Sequence, residues 1–161
     1  ITDDFIEKYK LSVPILSVEK VINSIGGQIV YVDDFDELQK GKIMFHNRTF
    51  IVRTGVKHDT FAKNVSLGIS LGHILINLAN VDLLLPQNND KYFGFTKSQN
   101  DKAIAFMYSL LMPRVEFAKE LSNNADDDGN IDFFTVARYF HVPVPMVITR
   151  GEELQLIMET I

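Results

Sequence analysis

The chain has 161 residues, of which 46% are hydrophobic and 23% charged, a composition typical of one folded globular domain. A formal net charge of -5, with 16 scattered lysines and arginines, argues against a basic surface for nucleic acid or anionic lipid. Because cysteine is absent, disulfides and thiolate metal sites are excluded. We expect a single cytoplasmic domain over residues 1–161, and since Ile1 is not a start methionine the sequence is compatible with a piece of a longer chain.

The N-terminal third of the sequence predicts a mixture of helices and strands. The predicted elements are a helix capped by Thr2, a helix over Val18–Ser24 after Ser17, and strands over Gln28–Val32, Lys42–Phe45 and Thr49–Arg53. Gly26 and Gly27 end the second helix, because glycine tolerates a positive φ. The short segment His46–Arg48 predicts a tight turn between two antiparallel strands, so we expect a small sheet of about three strands.

A long apolar helix is predicted next, capped by Asp59 or Thr60. Its nearly apolar stretch, Val65–Leu78, is shorter than the roughly 18–20 residues that span a bilayer, so it predicts a buried helix. Gly68 and Gly72 share one face of this helix, and their lack of side chains lets another element pack close to the backbone.

The rest of the chain is predicted to be mainly helical. The expected elements are a loop over Asn80–Asp90, a helix capped by Ser98 that ends near Met112-Pro113, a helix over Arg114–Leu121, a turn-rich connection over Asn123–Asn130, a helix over Ile131–Phe140, and a last helix from Pro143 or Pro145. The predicted fold class is therefore α+β, with a small sheet packed on a mainly helical body.

The segment Val65–His73 has the spacing of an H-E-x-x-H zinc-protease helix. In that motif the two histidines point the same way and bind one Zn²⁺, while the glutamate activates the metal-bound water. The three motif positions read Ile69, Ser70 and His73 here, so His73 is the one metal-binding side chain that remains.

Further landmarks run along the chain in a fixed order. They are Val13-Pro14, Gly26-Gly27, the strand end Phe50–Val52, the helix with Leu71–His73, the segment Ala103–Pro113, and the tail Val136–Val142. In this order and spacing the chain resembles the ImmA/IrrE-type metallopeptidase family over nearly its whole length. The most specific landmark is Phe106 with Leu110–Pro113, which fits the family pattern E-A-x-x-F-A-x-x-L-L-M-P without a shift. The resemblance implies the metallopeptidase fold of that family.

The resemblance assigns the functional positions one at a time. The first zinc histidine falls on Ile69, which has no lone pair, and the general-base glutamate falls on Ser70, whose hydroxyl pKa is far too high for that task. The second histidine is retained as His73. The third ligand, a glutamate before the alanine, falls on Lys102, whose cation would repel the metal. The resemblance therefore implies a degenerate site without a catalytic residue, a metal or another cofactor.

Other readings of this site stay open. A lone histidine in an apolar helix is more often a hydrogen-bonded core residue than a metal ligand, and we favour this interpretation of His73. His73 and Asp101 would form a two-ligand metal site if the helix that carries Asp101 were rotated by about 100°. Alternatively, a vacated cleft lined by Ile69, Ser70, His73, Asp101 and Phe106 would bind a small molecule or a peptide.

An acidic stretch resembles part of a calcium-binding EF-hand loop. The first, third, fifth, sixth, eighth and ninth loop positions are Asn124, Asp126, Asp128, Gly129, Ile131 and Asp132, and the first of them should be an aspartate. The twelfth position, which should be a bidentate glutamate, is Thr135, so the stretch is interpreted as a solvated acidic turn with Asp132 near a helix N-terminus. The remaining histidines, His46, His58 and His141, have no ligand spacing with His73.

The resemblance also implies a function. Members of the family are associated with regulatory circuits of mobile elements and stress responses, often beside helix-turn-helix repressors that the active forms cleave. We therefore expect a catalytically inactive regulatory module whose partner is a repressor or sensor protein, without direct binding to nucleic acid or a membrane. The alternatives are a small-molecule or peptide sensor that uses the vacated cleft, and a zinc peptidase with an unorthodox site.

Overall fold

A computed structural model describes residues 1–39, 41–56, 58–79 and 91–158, and the loop predicted over Asn80–Asp90 lies outside them. The chain forms two compact units. The sheet unit comprises Ser17–Met107, and the helical unit comprises Ile1–Leu16 together with Tyr108–Ile161. The single domain expected over 1–161 stays a prediction.

Helices account for most of the regular structure. They are α1 (Thr2–Lys8), α2 (Val18–Ser24), α3 (Phe35–Gln39), α4 (Thr60–Gly72), α5 (Lys97–Leu111), α6 (Arg114–Asn123), α7 (Phe133–Phe140) and α8 (Val144–Glu153), with a π-helical turn His73–Asn77 directly after α4. The strands are β1 (Gln28–Val32), β2 (Ile43–His46), β3 (Thr49–Gly55) and β4 (Lys91–Tyr92). This content confirms the predicted α+β class. None of the described helices has the length and apolarity needed to cross a membrane.

The described strands form one sheet in the order β1-β3-β2-β4. β2 and β3 form the predicted antiparallel hairpin, and its turn residues Asn47 and Arg48 have φ values of 47° and 63°, as a two-residue turn between twisted strands requires. β1 lies parallel to β3. The predicted strands are all present, whereas α3 and the two-residue β4 were not predicted, because elements this short show little periodicity of their own.

The helix ends of the sheet unit follow from local capping. Ser17 Oγ accepts the backbone N–H of Lys20 at 3.3 Å at the start of α2, and Gly26 follows its end with a φ of 88°, as predicted. Asp59 caps α4 by accepting the N–H groups of the residues at its second and third positions, both at 2.9 Å.

The cap of α5 differs from the predicted one. Thr96 Oγ1 accepts the N–H of Gln99 at 3.2 Å, while Gln99 Oε1 accepts the N–H of Thr96 at 2.9 Å. This reciprocal pair is a capping box, which satisfies two N–H groups at once. The prediction that Ser98 caps the helix is therefore wrong, since Ser98 lies inside α5.

α4 and α5 approach each other closely at Gly72. A Cβ atom on Gly72 would lie 2.8 Å from the carbonyl oxygen of Ala103, 3.0 Å from its Cα, and 3.2 Å from the ring of Phe106. The predicted close approach at this glycine is thus confirmed. It brings the first turns of α5 beside the end of α4, where His73 lies.

In the helical unit the buried rings of Phe117 and Phe140 pack together, with their centres 5.8 Å apart. Two helix starts differ from the predicted ones. Thr2 lies inside α1 rather than at its cap, which is Ile1. α7 begins at Phe133, two residues after the predicted start, because Asp132 accepts the N–H of Thr135 and so caps the helix there.

The acidic stretch forms a closed turn, defined here as the acidic turn, residues 124–132. Asp126 Oδ1 accepts the backbone N–H groups of Asp128 at 3.0 Å and Asn130 at 2.7 Å, and a bridge pairs Ala125 with Ile131. The Asp126 carboxylate is thus used to hold the turn, as the reading of a solvated turn predicts.

Candidate functional site

A cavity of about 260 Å³, termed the cleft, opens in the sheet unit beside α4. β2, α4, the segment after β4 and the first turn of α5 contribute to its walls. Its lining residues are Lys42, Ile43, Ser66, Ile69, Ser70, His73, Phe93, Gly94, Phe95 and Asn100. Four elements that are distant in the sequence therefore meet around Ile69, Ser70 and His73.

The three motif positions of α4 line the cleft. Ile69 and His73 are one helical turn apart and so face the same side, and Ser70 lies next to them. The α-helix changes into the π-helical turn at His73. Such π-helical turns are frequent at functional sites.

The residues predicted from α5 lie elsewhere. Asp101 is 59% exposed and pairs with Lys97 at 2.9 Å, and Lys102 is exposed as well. Phe106 is 3% exposed and packs against Gly72 instead of the cleft. The lining differs from the predicted one at Asp101 and Phe106, because successive residues of a helix are about 100° apart around its axis.

Two asparagine amides hold the ring of His73, which is 4% exposed. Asn77 Nδ2 donates to His73 Nδ1 at 2.9 Å and to the backbone carbonyl of Gln99 at 3.0 Å. Because a carbonyl only accepts, the second bond fixes the orientation of the Asn77 amide, and Nδ1 must be the acceptor. The proton of the neutral ring is therefore on Nε2, which donates to Asn100 Oδ1 at 3.0 Å.

The surroundings of His73 favour its neutral form. Burial lowers the pKa of the imidazole, while the hydrogen bond with Asn100 acts in the opposite direction. The ring also stacks on Phe95, with the ring centres 3.6 Å apart and the planes 20° from parallel. A second proton, on Nδ1, would face the NH₂ group of Asn77. His73 is thus neutral and hydrogen-bonded on both sides at neutral pH.

This arrangement does not fit a zinc ion. A histidine ligand needs a free nitrogen lone pair, yet His73 Nδ1 accepts from Asn77 and Nε2 carries the proton. Ile69 presents hydrocarbon at the next position of the motif. Within residues 1–39, 41–56, 58–79 and 91–158, no group of three or more His, Cys, Asp or Glu side chains is placed to hold a metal.

Two other polar side chains of the cleft are available to a ligand. The hydroxyl of Ser70, a residue 3% exposed, makes no hydrogen bond to the described residues, and the exposed Lys42 makes no ion pair with them. Lys42 is the one charged residue in the described lining. The remaining surface is mainly apolar, from Ile69, Phe93 and Phe95 among others.

A second cavity, of about 290 Å³, lies at the carboxyl ends of β1 and β3. Its lining residues are Val32, Asp33, Asp34, Leu38, Gly55, Val56 and His58. The carboxylate of Asp34 accepts the N–H groups of Asp36 and Glu37, so it is already used at the start of α3. This cavity contains none of the motif positions.

Three residues around His73 were not predicted from the sequence. Asn77 follows His73 by four residues, so helical spacing alone would have placed it beside the ring. Asn100 precedes Ala103, the α5 residue against Gly72, by one helical turn, and the approach of α5 at Gly72 places it there. Phe95 lies in a segment without periodicity, so no sequence pattern indicated it.

A profile of the Peptidase M78 family, described as the IrrE N-terminal-like domain, matches residues 24–150. The chain belongs to this family. The match confirms the resemblance seen in the sequence, and it includes α4 and the whole described lining of the cleft. The family is metallopeptidase-like.

The fold of this IrrE-type chain is similar to that of a solved structure, a Mycobacterium tuberculosis transcriptional regulator. The TM-score is 0.62, with 13% sequence identity over 92% of this chain. The chain spans 44% of the length of that protein. A comparison with curated protein sequences found no match.

Proposed function

We propose that this IrrE-type domain is catalytically inactive and acts as a regulatory module that binds another protein. The observation that supports the proposal best is the state of His73, whose two ring nitrogens are engaged by the amides of Asn77 and Asn100. A residue held in this way is a structural part of the cleft wall and not a ligand awaiting a metal.

The neighbouring positions support the same conclusion. Ile69 has no donor atom, and the hydroxyl of Ser70 is too weak a base to take a proton from water near neutral pH. Asn100, the α5 side chain that contacts His73, is a neutral amide, whereas zinc sites use a carboxylate, imidazole or thiolate. The alternative of an unorthodox peptidase with Asp101 has little geometric support, because Asp101 pairs with Lys97 and does not line the cleft.

The expected partner is a helix-turn-helix repressor or a sensor protein of a mobile element or stress circuit. The family suggests this partner, and the similar M. tuberculosis protein is described as a transcriptional regulator. A module of this kind would change the activity of its partner by stoichiometric binding, in the cytoplasm and without direct contact with DNA.

Metal analysis tests the loss of the zinc site. The purified protein, dialysed against excess Zn²⁺ and then desalted, is expected to retain less than about a tenth of an equivalent of zinc. The triple variant Ile69→His, Ser70→Glu, Asn100→Glu adds two zinc ligands beside His73, at positions 69 and 100, and a general base at position 70, and it is expected to retain about one equivalent. Circular dichroism of both proteins checks that the fold is intact.

About one equivalent of zinc in the unmodified protein, or zinc-dependent cleavage of a peptide library, would contradict the proposal. The regulatory role is tested separately, with a repressor encoded beside the gene. We expect the purified domain to bind this repressor and to change its affinity for operator DNA without cleaving it. Binding accompanied by cleavage would identify a peptidase instead.

A second function, ligand sensing, is favoured by the cleft itself. A site filled by side chains would have no room for a ligand, whereas a cavity of about 260 Å³ lies beside Ile69, Ser70 and His73. We propose that a ligand in the cleft regulates the affinity for the protein partner. The two functions are compatible, since a sensor domain needs both a ligand site and an output surface.

A further inference from the structure

The charge of the cleft restricts the ligands that it accepts. Among the described residues of its lining, Lys42 is charged and positive, while His73 is held neutral and no carboxylate contributes. The protein as a whole carries a net charge of -5, so a positive site stands out against its average. An amine would meet Lys42 without a counter-charge, whereas an anion would pair with it.

Ser70 points to the same ligand chemistry. Its residue is 3% exposed, and its hydroxyl lines the cleft without a hydrogen bond to any described residue. A hydroxyl that faces a cavity and makes no hydrogen bond within the protein keeps its O–H free to donate to a ligand. A hydroxyl donor and an ammonium donor in one cavity suit an acceptor with two oxygens, which is a carboxylate.

The size and the walls define the rest of the ligand. An apolar cavity of about 150 Å³ accepts benzene, so the cleft of about 260 Å³ has room for on the order of ten non-hydrogen atoms. Ile69, Phe93 and Phe95 offer hydrocarbon and ring faces to an apolar tail. A free phosphate or sulfate would leave this apolar surface unused.

From this combination we infer that the cleft binds a small apolar carboxylate, with its carboxylate at Lys42 and Ser70 and its aliphatic or aromatic tail against Ile69 and Phe95. The inference deepens the ligand-sensing function proposed above and rests on it. Such a carboxylate has two sources, a free carboxylic acid or the carboxyl terminus of a protein that ends in an apolar residue. Both present the same chemistry to the cleft.

Isothermal titration calorimetry with three matched probes tests the inference. The probes are 4-phenylbutyrate, its neutral amide and 4-phenylbutylamine, all titrated in buffer with EDTA. We expect 4-phenylbutyrate to bind at least about tenfold more tightly than the amide, since a charge-assisted hydrogen bond is stronger than a neutral one. The amine is expected not to bind. Equal affinity for the acid and the amide, or preference for the amine, would overturn the inference.

Two variants of the cleft test where the carboxylate of 4-phenylbutyrate binds. Lys42→Met keeps the length of the side chain and is expected to weaken 4-phenylbutyrate about tenfold while leaving the amide unchanged. Ser70→Ala is expected to weaken the acid several-fold, by roughly the worth of one hydrogen bond. Lys20→Met, at an exposed lysine of the sheet unit outside the cleft lining, is the control and should change nothing. If Lys42→Met and Lys20→Met behave alike while circular dichroism shows both folded, the inference fails.

Two further arms separate the sources and the hypotheses. A short peptide that ends in Phe with a free carboxylate, compared with its C-terminal amide, tests the protein source, and tighter binding than 4-phenylbutyrate with the same dependence on Lys42 would identify that source. Metal content is measured in the same preparation. If the protein contains zinc and EDTA abolishes its binding of 4-phenylbutyrate, the proposal of a metal-free site is wrong. If the protein is free of zinc and does not bind 4-phenylbutyrate, only the inference of a carboxylate ligand is wrong.

Discussion

The cleft and the acidic turn each contain part of a metal-binding sequence pattern, and in both a potential ligand side chain is engaged within the protein. His73 is held by two amides inside the sheet unit, and Asp126 is held by backbone N–H groups on the surface of the helical unit. The difference lies in their surroundings. His73 lines an open cavity, whereas Asp126 closes a solvated turn, so space for a ligand remains beside the first side chain, while the second holds its own turn.

The largest effect is expected at Gly72. Gly72→Ala places a Cβ atom 2.8 Å from the Ala103 carbonyl oxygen, and we expect it to lower the free energy of unfolding by about 2–3 kcal/mol, since backbone cannot move aside cheaply. The Cβ atom of Gly129→Ala in the acidic turn would meet nothing within 4 Å, but the alanine would have to adopt a φ of 83°. A loss of about 1 kcal/mol in the free energy of unfolding is therefore expected there. Urea unfolding measures both, and a larger loss at Gly129 would reverse the comparison.

The next effect concerns His73 and its dependence on pH. His73→Phe keeps a ring beside Phe95 but leaves the amides of Asn77 and Asn100 without their partner, so about 2 kcal/mol of stability should be lost at pH 7.5. Since burial lowers the pKa of His73 below 6.5, its stabilising contribution is present above about pH 6.5 and declines as the pH falls through the lowered pKa. The difference in the free energy of unfolding between the unmodified protein and His73→Phe, measured by urea unfolding, should therefore be smaller at pH 5.

Asp126→Asn is the matched control from the acidic turn. Hydrogen bonds from the side chain and backbone of Asn130 lower the pKa of Asp126 below its ordinary 3.8, so the contribution of this carboxylate is present above that value and is lost only at lower pH. The effect of Asp126→Asn should be the same at pH 7.5 and pH 5. If the stability loss caused by Asp126→Asn changed between pH 7.5 and pH 5 while that caused by His73→Phe stayed constant, the pKa directions assigned to the two side chains would be wrong.

A smaller effect is expected at the cap of α5, the helix that carries Asn100. Thr96→Ala removes one side of the capping box and should cost about 1 kcal/mol. Ser98→Ala, inside the helix, should change stability by less than about 0.5 kcal/mol, because alanine is a good helix former. Thermal unfolding of the two variants decides between Thr96 and Ser98 as the cap, and equal losses would argue against the capping box.

The smallest effect is expected from calcium. Asp126 is engaged within the turn, and Thr135 occupies the position of the bidentate glutamate. A Ca²⁺ concentration of about 5 mM, above the dissociation constants of about 10⁻⁴–10⁻³ M of weak extracellular sites, should therefore not raise the melting temperature. A saturable rise that Asp126→Asn abolishes would show that the acidic turn does bind a cation. A Mg²⁺ titration at the same concentration controls for ionic strength.

Local patterns were sufficient for much of this fold. The bounds of α2 and β1 followed from Ser17, the glycines at 26 and 27, and a run of β-branched residues, because caps and strand propensity act over a few residues. The pattern around Leu110–Pro113 was sufficient to indicate the family, since it records a helix end and its core side chains together. The starts of α1, α5 and α7 were less certain in the sequence, because several neighbouring residues can cap a helix.

The sequence by itself determined that Ile69, Ser70 and His73 have the spacing of an H-E-x-x-H motif and that His73 is the one metal-binding side chain among them. Only the tertiary structure decided which side chains surround His73. The approach of α5 to Gly72 brings Asn100, rather than Asp101 or Lys102, to the imidazole, and the π-helical turn brings Asn77 to its other nitrogen. The rotation of one helix against another depends on contacts between residues far apart in the chain, which no local pattern contains.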